Sequence, residues 1–323
     1  MARRKKTNRN AIDGWLVLDK PVGLTSNDAL TRLKKILHPQ KVGHAGTLDP
    51  LASGCLPIAL GEATKTVSFV MDGRKVYRFA VRWGIETETD DTEGAAVATS
   101  DTRPSPEEIR AVLPEFTGTI LQVPPAYSAI KVDGERAYDL ARAGETVELQ
   151  PREIDVHRLD LVDCPDADHA VFEAECGKGT YVRALSRDIA RRLSTRGHVT
   201  ELRRLVVGPF DEEDMIPLAT VEDLGQCAPG GGLSEAHASL ILPVATALDD
   251  IPALAVSRQD AARLRKGQGV LLRGRDAPAF SGLVSVSSLG ELVAIGEIER
   301  GELLPRRVFN LAAPTGAADF ERI

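Results

Sequence analysis

Lys75-Val76-Tyr77-Arg78-Phe79-Ala80-Val81-Arg82-Trp83-Gly84 is the stretch from which the fold is read. Val76, Arg78, Ala80 and Arg82 share one side of it, and Tyr77, Phe79, Val81 and Trp83 the other. A period of two over this length predicts a strand with two unlike faces. Upstream, Gly14–Lys20 is a short apolar strand, stopped by the turn signal Lys20-Pro21-Val22-Gly23. Thr25-Ser26-Asn27-Asp28 supplies cap residues for a helix with apolar Ala29, Leu30, Leu33 and Leu37. A loop is expected through Gly43–Gly54, and residues 64–70 read as helix or strand. Downstream, Ser105-Pro106-Glu107-Glu108 opens a helix to Leu113 by capping-box logic. A strand precedes Val123-Pro124-Pro125, a polar helical insertion spans about 126–150, and strands are expected over 154–163 and 170–176. Gly177–Arg183 leads into a helix, Ala184–Leu193, with Arg187, Arg191 and Arg192 as a basic face. After Pro243 come a helix and then short strands with Gly-rich turns over 267–304, the pattern of a small β-barrel. The fold class is therefore α+β. A disordered basic arm (1–12) precedes a mixed-sheet domain with flanking helices (13–245), and a β-rich module (250–323) follows.

The chain has 323 residues, 43% hydrophobic and 27% charged, a globular composition that excludes wholesale disorder. No apolar run reaches the roughly 18 residues of a membrane span. The basic start has no apolar region behind it, so no secretory signal is expected. Cys55, Cys164, Cys176 and Cys227 are scattered without a C-x-x-C, which disfavours disulfides and zinc and points to a reducing, cytoplasmic compartment. The net charge of -7 argues, taken whole, against a nucleic-acid partner. Its distribution argues otherwise: +9 over residues 1–82, -13 over 83–170, +4 over 171–208 and -7 over 209–323. The two positive blocks hint at an anionic ligand. The acidic stretch Glu86–Glu93 reads as a solvated loop.

Chemistry concentrates in Gly43-His44-Ala45-Gly46-Thr47-Leu48-Asp49-Pro50-Leu51-Ala52-Ser53-Gly54. On the residues alone Asp49 is either a reactive carboxylate or a helix N-cap with Pro50 at the first helical position. His44 has no second His at ligand spacing, so a metal site is not expected. Arg183 reads as a phosphate contact or a strand end, and Tyr77 as a half-buried strand aromatic.

This segment resembles the catalytic-loop signature of the TruB family of bacterial tRNA pseudouridine synthases. The likeness continues in order through Leu18-Asp19-Lys20-Pro21 with Gly23, Thr25 and Ser26, then Leu60–Lys65 and Lys75–Phe79. It runs on through Val123–Lys131, Lys178–Arg183 and Leu202–Phe210, covering roughly residues 13–210. Departures are minor: Ser53 stands where many members have Thr, and Leu205 where a polar residue is common. The resemblance implies that Asp49 is the catalytic carboxylate, paired with Arg183, and that Tyr77 stacks on the base and accepts a proton. Burial opposes an ionised carboxylate, and a neighbouring guanidinium favours it. Whether Asp49 attacks C1′ or C6, or assists glycal formation, stays open. Tyr181 and Leu202 are implied to pack near the target base, and His44 to fill the gap left by a flipped nucleotide. Lys20 and the 184–193 helix are phosphate-contact candidates.

The implied reaction converts the uridine at position 55 of the tRNA T loop to pseudouridine after base flipping, without cofactor or metal. The implied partner is the T arm, met by a monomer that needs no protein partner. The 126–150 insertion is expected to grip RNA. Residues 250–311 resemble the PUA RNA-binding module, although their acidic balance argues against strong binding. A tRNA-folding chaperone acting on the elbow is the alternative. An RNA-guided synthase within a ribonucleoprotein is disfavoured by the insertion and by the lack of Lys-rich tails.

Overall fold

The protein is described from a computed structural model that covers residues 9–128, 130–132, 135–136, 149–226, 235–272 and 280–311. Strands β1 (Gly14–Lys20), β2 (Val42–His44), β3 (Ser53–Leu60) and β4 (Lys75–Trp83) come first, followed by the small β5 (Ile85–Thr87) and β6 (Ala96–Thr99) pair. β7 (Gly118–Gln122), β8 (Lys131–Val132), β9 (Glu135–Arg136), β10 (Arg152–Asp166), β11 (His169–Cys176), β12 (Gly197–Val207) and β13 (Ile216–Pro217) complete this part. The main sheet runs β13-β1-β3-β12-β4-β11-β10-β7, with β2 added on β3. It is mixed, because β1 with β13 and β3 with β12 are parallel pairs and the remaining pairs are antiparallel.

β4 lies near the middle of this sheet, and its aromatic side carries the core as its alternation predicts. Phe79 stacks on Phe172 of β11 at 5.4 Å between centroids, and Trp83 meets the same ring edge-on at 6.2 Å. The Ser26–Leu37 helix presses Ala29, Leu30, Leu33 and Leu37 onto that face. Its start is a complete capping box: Thr25 Oγ1 accepts from Asp28 N, and the Asp28 carboxylate accepts from Thr25 N. Ser105 and Glu108 repeat the device for the Pro106–Val112 helix. The Val182–Arg192 helix adds Leu185 and Ile189 to the same core.

Several expectations change in detail. The ambiguous 64–70 stretch is helical, a 3-10 turn Gly61–Lys65 followed by the Val67–Asp72 helix. The 43–54 loop is shorter than expected, because Val42–His44 and Ser53–Leu60 pair as strands at its two ends. The segment after Pro243 begins with a 3-10 turn, Val244–Leu248, and the expected helix follows at Arg258–Arg265, ahead of the strands expected over 267–304. Residues 9–12 of the arm are ordered: Asn10 N donates to His38 O at 2.7 Å, and Ile12 is buried. The expected helical insertion is represented by the β8–β9 pair, and most of 126–150 lies outside the described residues.

The C-terminal strands β14 (Ala253–Ala255), β15 (Val270–Leu271), β16 (Gly282–Ser288), β17 (Glu291–Glu299) and β18 (Glu302–Val308) form a second sheet, ordered β14-β16-β17-β18-β15. This sheet is docked, not tethered. Trp15, Val17, Cys55 and Phe210 from the main sheet's other face share one apolar cluster with Leu248, Leu292, Ile295 and Phe309. Lys65 Nζ, seated over the Phe309 ring, donates to Val308 O at 2.8 Å. Cys55, Cys164 and Cys176 are free thiols, and Cys227 lies outside the described residues.

Candidate active site

The loop between β2 and β3 carries Asp49, and its backbone is held from three directions. Ser26, in the first turn of the Ser26–Leu37 helix, accepts from Leu48 N at 2.8 Å and donates to Leu48 O at 3.0 Å. Gly23 N, in the Lys20–Gly23 turn, donates to Pro50 O at 2.8 Å. Arg204 of β12 donates to Gly46 O at 3.0 Å and to Cys55 O at 2.8 Å. Gly46 has φ +95°, a conformation that favours glycine, and the Arg204 guanidinium lies 3.3 Å from where a Cβ would stand. Ala52 N closes a tight turn on Asp49 O at 3.1 Å, and β3 begins at Ser53. No helix follows Asp49, which removes the N-cap alternative.

Asp49 opens onto a cavity of about 560 Å³ whose lining includes Tyr77, Tyr181, Arg183, Leu202 and Arg204. Arg183 Nη2 stands 2.9 Å from Asp49 Oδ2, with the arginine side chain 6% exposed and the aspartate 39%. The carboxylate is thus presented to the cavity while its partner is sunk in the wall. Arg183 is itself fixed: it donates to Thr89 O at 2.9 Å and Tyr127 O at 3.0 Å, and Asp91 Oδ2 lies 3.4 Å from its other nitrogen. It sits inside the helix, one residue from the start, not at a strand end. The Gln122 amide sets Tyr181, the residue before the helix, accepting from Tyr181 N at 2.9 Å and donating to Tyr181 O at 3.1 Å. Burial raises the pKa of the Tyr77 phenol, and the adjacent Arg204 guanidinium works against that rise. Burial likewise raises that of Tyr181.

Asp49, Tyr77, Tyr181, Arg183 and Leu202 therefore converge, whereas Lys20 and His44 do not line the cavity. His44 is on β2, half-buried, with its pKa lowered by burial and then by Arg204. Lys20 is fully buried, and its ammonium donates to Pro21 O at 2.9 Å and Leu24 O at 2.7 Å. A lysine folded back onto its own turn cannot reach a phosphate, which corrects the contact proposed for it. Desolvation brings its pKa down to about 8, against the opposing pull of Asp49.

The acidic 86–93 segment is not a solvated loop. Glu86, Asp90 and Asp91 are buried, and they take up the arginines of the Val182–Arg192 helix. Arg187 pairs with Asp90 at 2.9 Å and Arg191 with Glu86 at 2.6 Å, while Arg192 pairs with Glu115 at 2.6 Å. Of the proposed phosphate-contacting face, Arg187 is thereby spent inside the protein, whereas Arg191 and Arg192 keep about half of their side chains exposed. Part of the -13 block is spent on the +4 block beside it. Burial raises the Asp90 pKa to about 6 despite Arg187.

Ser26, Asp91 and Arg204 serve the site without having been singled out by sequence. Ser26 and Arg204 lie in stretches already noted, and an alternating strand turns one of two adjacent arginines inward. Arg203 faces out to Asp19 at 2.9 Å and Arg204 faces in. Among the described residues no group of three or more His, Cys, Asp or Glu side chains is placed to hold a metal ion.

Known proteins carry the same arrangement of sequence. The profile of the TruB family pseudouridylate synthase N-terminal domain matches residues 34–182, and that of the tRNA pseudouridylate synthase B C-terminal domain matches 183–249. A tRNA pseudouridine synthase B of Bradyrhizobium diazoefficiens is 62% identical over 312 residues, 97% of this chain and 90% of that protein. One from Agrobacterium fabrum is 53% identical over 95% of this chain and 98% of its own length. Among solved structures, a chain of an archaeal box H/ACA Nop10–Cbf5 complex superposes with a TM-score of 0.70 at 26% identity, covering 94% of this chain and 93% of that one. An H/ACA ribonucleoprotein bound to a substrate RNA containing 2′-deoxyuridine gives 0.71 at 27%, over 92% and 85%. The fold is that of a pseudouridine synthase, and the C-terminal sheet fits a PUA-like domain. By sequence over nearly its whole length and by fold, this chain belongs to the TruB family of pseudouridylate synthases.

Proposed function

We propose that this protein isomerises uridine to pseudouridine in tRNA, at position 55 of the T loop, with the flipped base received in the cavity above Asp49. The observation that carries the reading is the Asp49–Arg183 pair at 2.9 Å, half-open to the cavity on one side and buried on the other. The N1–C1′ bond breaks, a C5–C1′ bond forms, the C5 proton leaves and N1 gains one, so the reaction balances without oxidant or reductant. A carboxylate beside the sugar suits that exchange, as nucleophile or as the charge that starts glycal formation. Arg183, 2.9 Å away, pairs with it and orients it. Tyr77 and Tyr181 bracket the base, with Tyr77 as proton acceptor and Leu202 as apolar wall. His44, at the end of β2, fills the place the base vacates.

The protein acts as a monomer on the T arm in the cytoplasm, with residues 13–245 as the catalytic unit and 250–323 as an accessory RNA-binding module. No helix among the described residues is long and apolar enough to cross a membrane. Unfolding the elbow needs no carboxylate–guanidinium pair at the floor of a cavity, so the chaperone alternative is not favoured. The test is tritium release from C5-labelled uridine in an unmodified tRNA transcript. Wild type should release label, and Asp49→Asn should bind the transcript without releasing any. No release by wild type removes the enzyme reading, and full release by Asp49→Ala removes the assignment of Asp49.

A further inference from the structure

Arg204 lies on β12 directly across from Tyr77 of β4. It is 2% exposed, yet no carboxylate of the described residues lies within the 4.0 Å of an ion pair with it. Its neighbour Arg203 faces the other way and has two carboxylate partners, Asp19 and Glu212. Burying a guanidinium without a counter-ion is unfavourable, and such a residue marks a place where the fold tolerates cost for function. Its bonds indicate what that function is. Nε donates to Cys55 O at 2.8 Å, Nη2 to Gly46 O at 3.0 Å, and Nη1 reaches Thr47 O at 3.5 Å. Those carbonyls flank the loop segment that carries Asp49, two before it and one after it. The same guanidinium lines the cavity and works on the Tyr77 phenol.

We propose that Arg204 is a positioning residue for this reaction, whose planar fork joins both flanks of the Asp49 loop and sets that loop against the Tyr77 hydroxyl. A single planar group thus ties the carboxylate's reach to the phenol's place. A lysine supplies a point charge and cannot span three carbonyls in fixed directions. The loop would then drift relative to Arg183 and Tyr77, which are held by other elements. The inference rests on Asp49 being the catalytic carboxylate.

The test compares Arg204→Lys and Arg204→Ala with wild type in single-turnover tritium release, alongside tRNA affinity by filter binding and near-UV circular dichroism. Arg204→Lys should keep tRNA affinity within about threefold while the rate falls roughly 100-fold, the scale set by an ångström of misplacement. Added guanidinium ion should restore at least about tenfold of the rate lost in Arg204→Ala, where an equal concentration of ammonium should not, because only the former reproduces the fork. A rate for Arg204→Lys within about threefold of wild type would overturn the inference, as would a loss of affinity in proportion to rate. Asp49→Ala in the same assay separates the two readings. If it stays active, the site assignment fails; if it is dead while Arg204→Lys is fully active, the positioning role fails alone.

Discussion

Ser26→Ala tests how Asp49 is held. The Ser26 hydroxyl makes two bonds to one residue, accepting from Leu48 N at 2.8 Å and donating to Leu48 O at 3.0 Å. Both residues are buried, at 2% and 4% exposure, so water cannot replace the lost hydroxyl without opening the structure. An orphaned buried donor costs about 1–3 kcal/mol, and the orphaned carbonyl adds less because it has two lone pairs. The expected loss is about 2 kcal/mol in urea denaturation. Leu48 immediately precedes Asp49, so a backbone shift that re-satisfies the orphaned Leu48 groups also moves the carboxylate. A drift well short of 1 Å should lower the single-turnover rate about 10- to 100-fold, with tRNA affinity unchanged. Stability within about 0.5 kcal/mol of wild type, together with wild-type turnover, would refute the reasoning. Asp49 would then be held by Arg183 and Arg204 without help from the helix.

Two further outcomes follow from buried charges. Arg187→Met should cost about 3–5 kcal/mol at neutral pH, because it leaves the Asp90 carboxylate buried without its guanidinium. The loss should shrink below pH 6, where Asp90 takes up a proton; urea midpoints at pH 5 and 7.5 check this, and equal losses at both would contradict it. Lys20 gives the opposite sign from an ordinary surface lysine. Its folded pKa is about 8 against 10.5 unfolded, so between those values the unfolded chain holds a proton that the folded one has shed. Wild type should therefore gain on Lys20→Met by up to about 3 kcal/mol as pH rises from 8 to 10.5. A gap that stays flat over this window would mean that the ammonium is solvated.

Features settled within a few residues were legible from sequence. The β4 alternation, the Thr25–Asp28 and Ser105–Glu108 capping boxes and the Gly43–Gly54 segment are short-range patterns, and each forms nearly as expected. The Asp49, Tyr77 and Arg183 trio was legible through resemblance, because its motifs are contiguous. Whether a charge is spent inside the protein was not legible. Arg187 meets an aspartate 97 residues away and Arg191 a glutamate 105 residues away, pairs that only a finished sheet brings together. Counting charges by block assigned those arginines to RNA and those acids to solvent.

By itself the sequence determined most strands and helices and the family, and singled out Asp49 as the candidate carboxylate, since periodicity, caps and motifs are written in neighbouring residues. Tertiary structure decided which cations are free and which are consumed. Lys20 turns inward on its own turn, Arg203 turns out to Asp19, and Arg204 turns in under the loop. The reason is that burial and ion pairing depend on the order β1-β3-β12-β4, which seats residues from opposite ends of the domain side by side. No local pattern encodes that order.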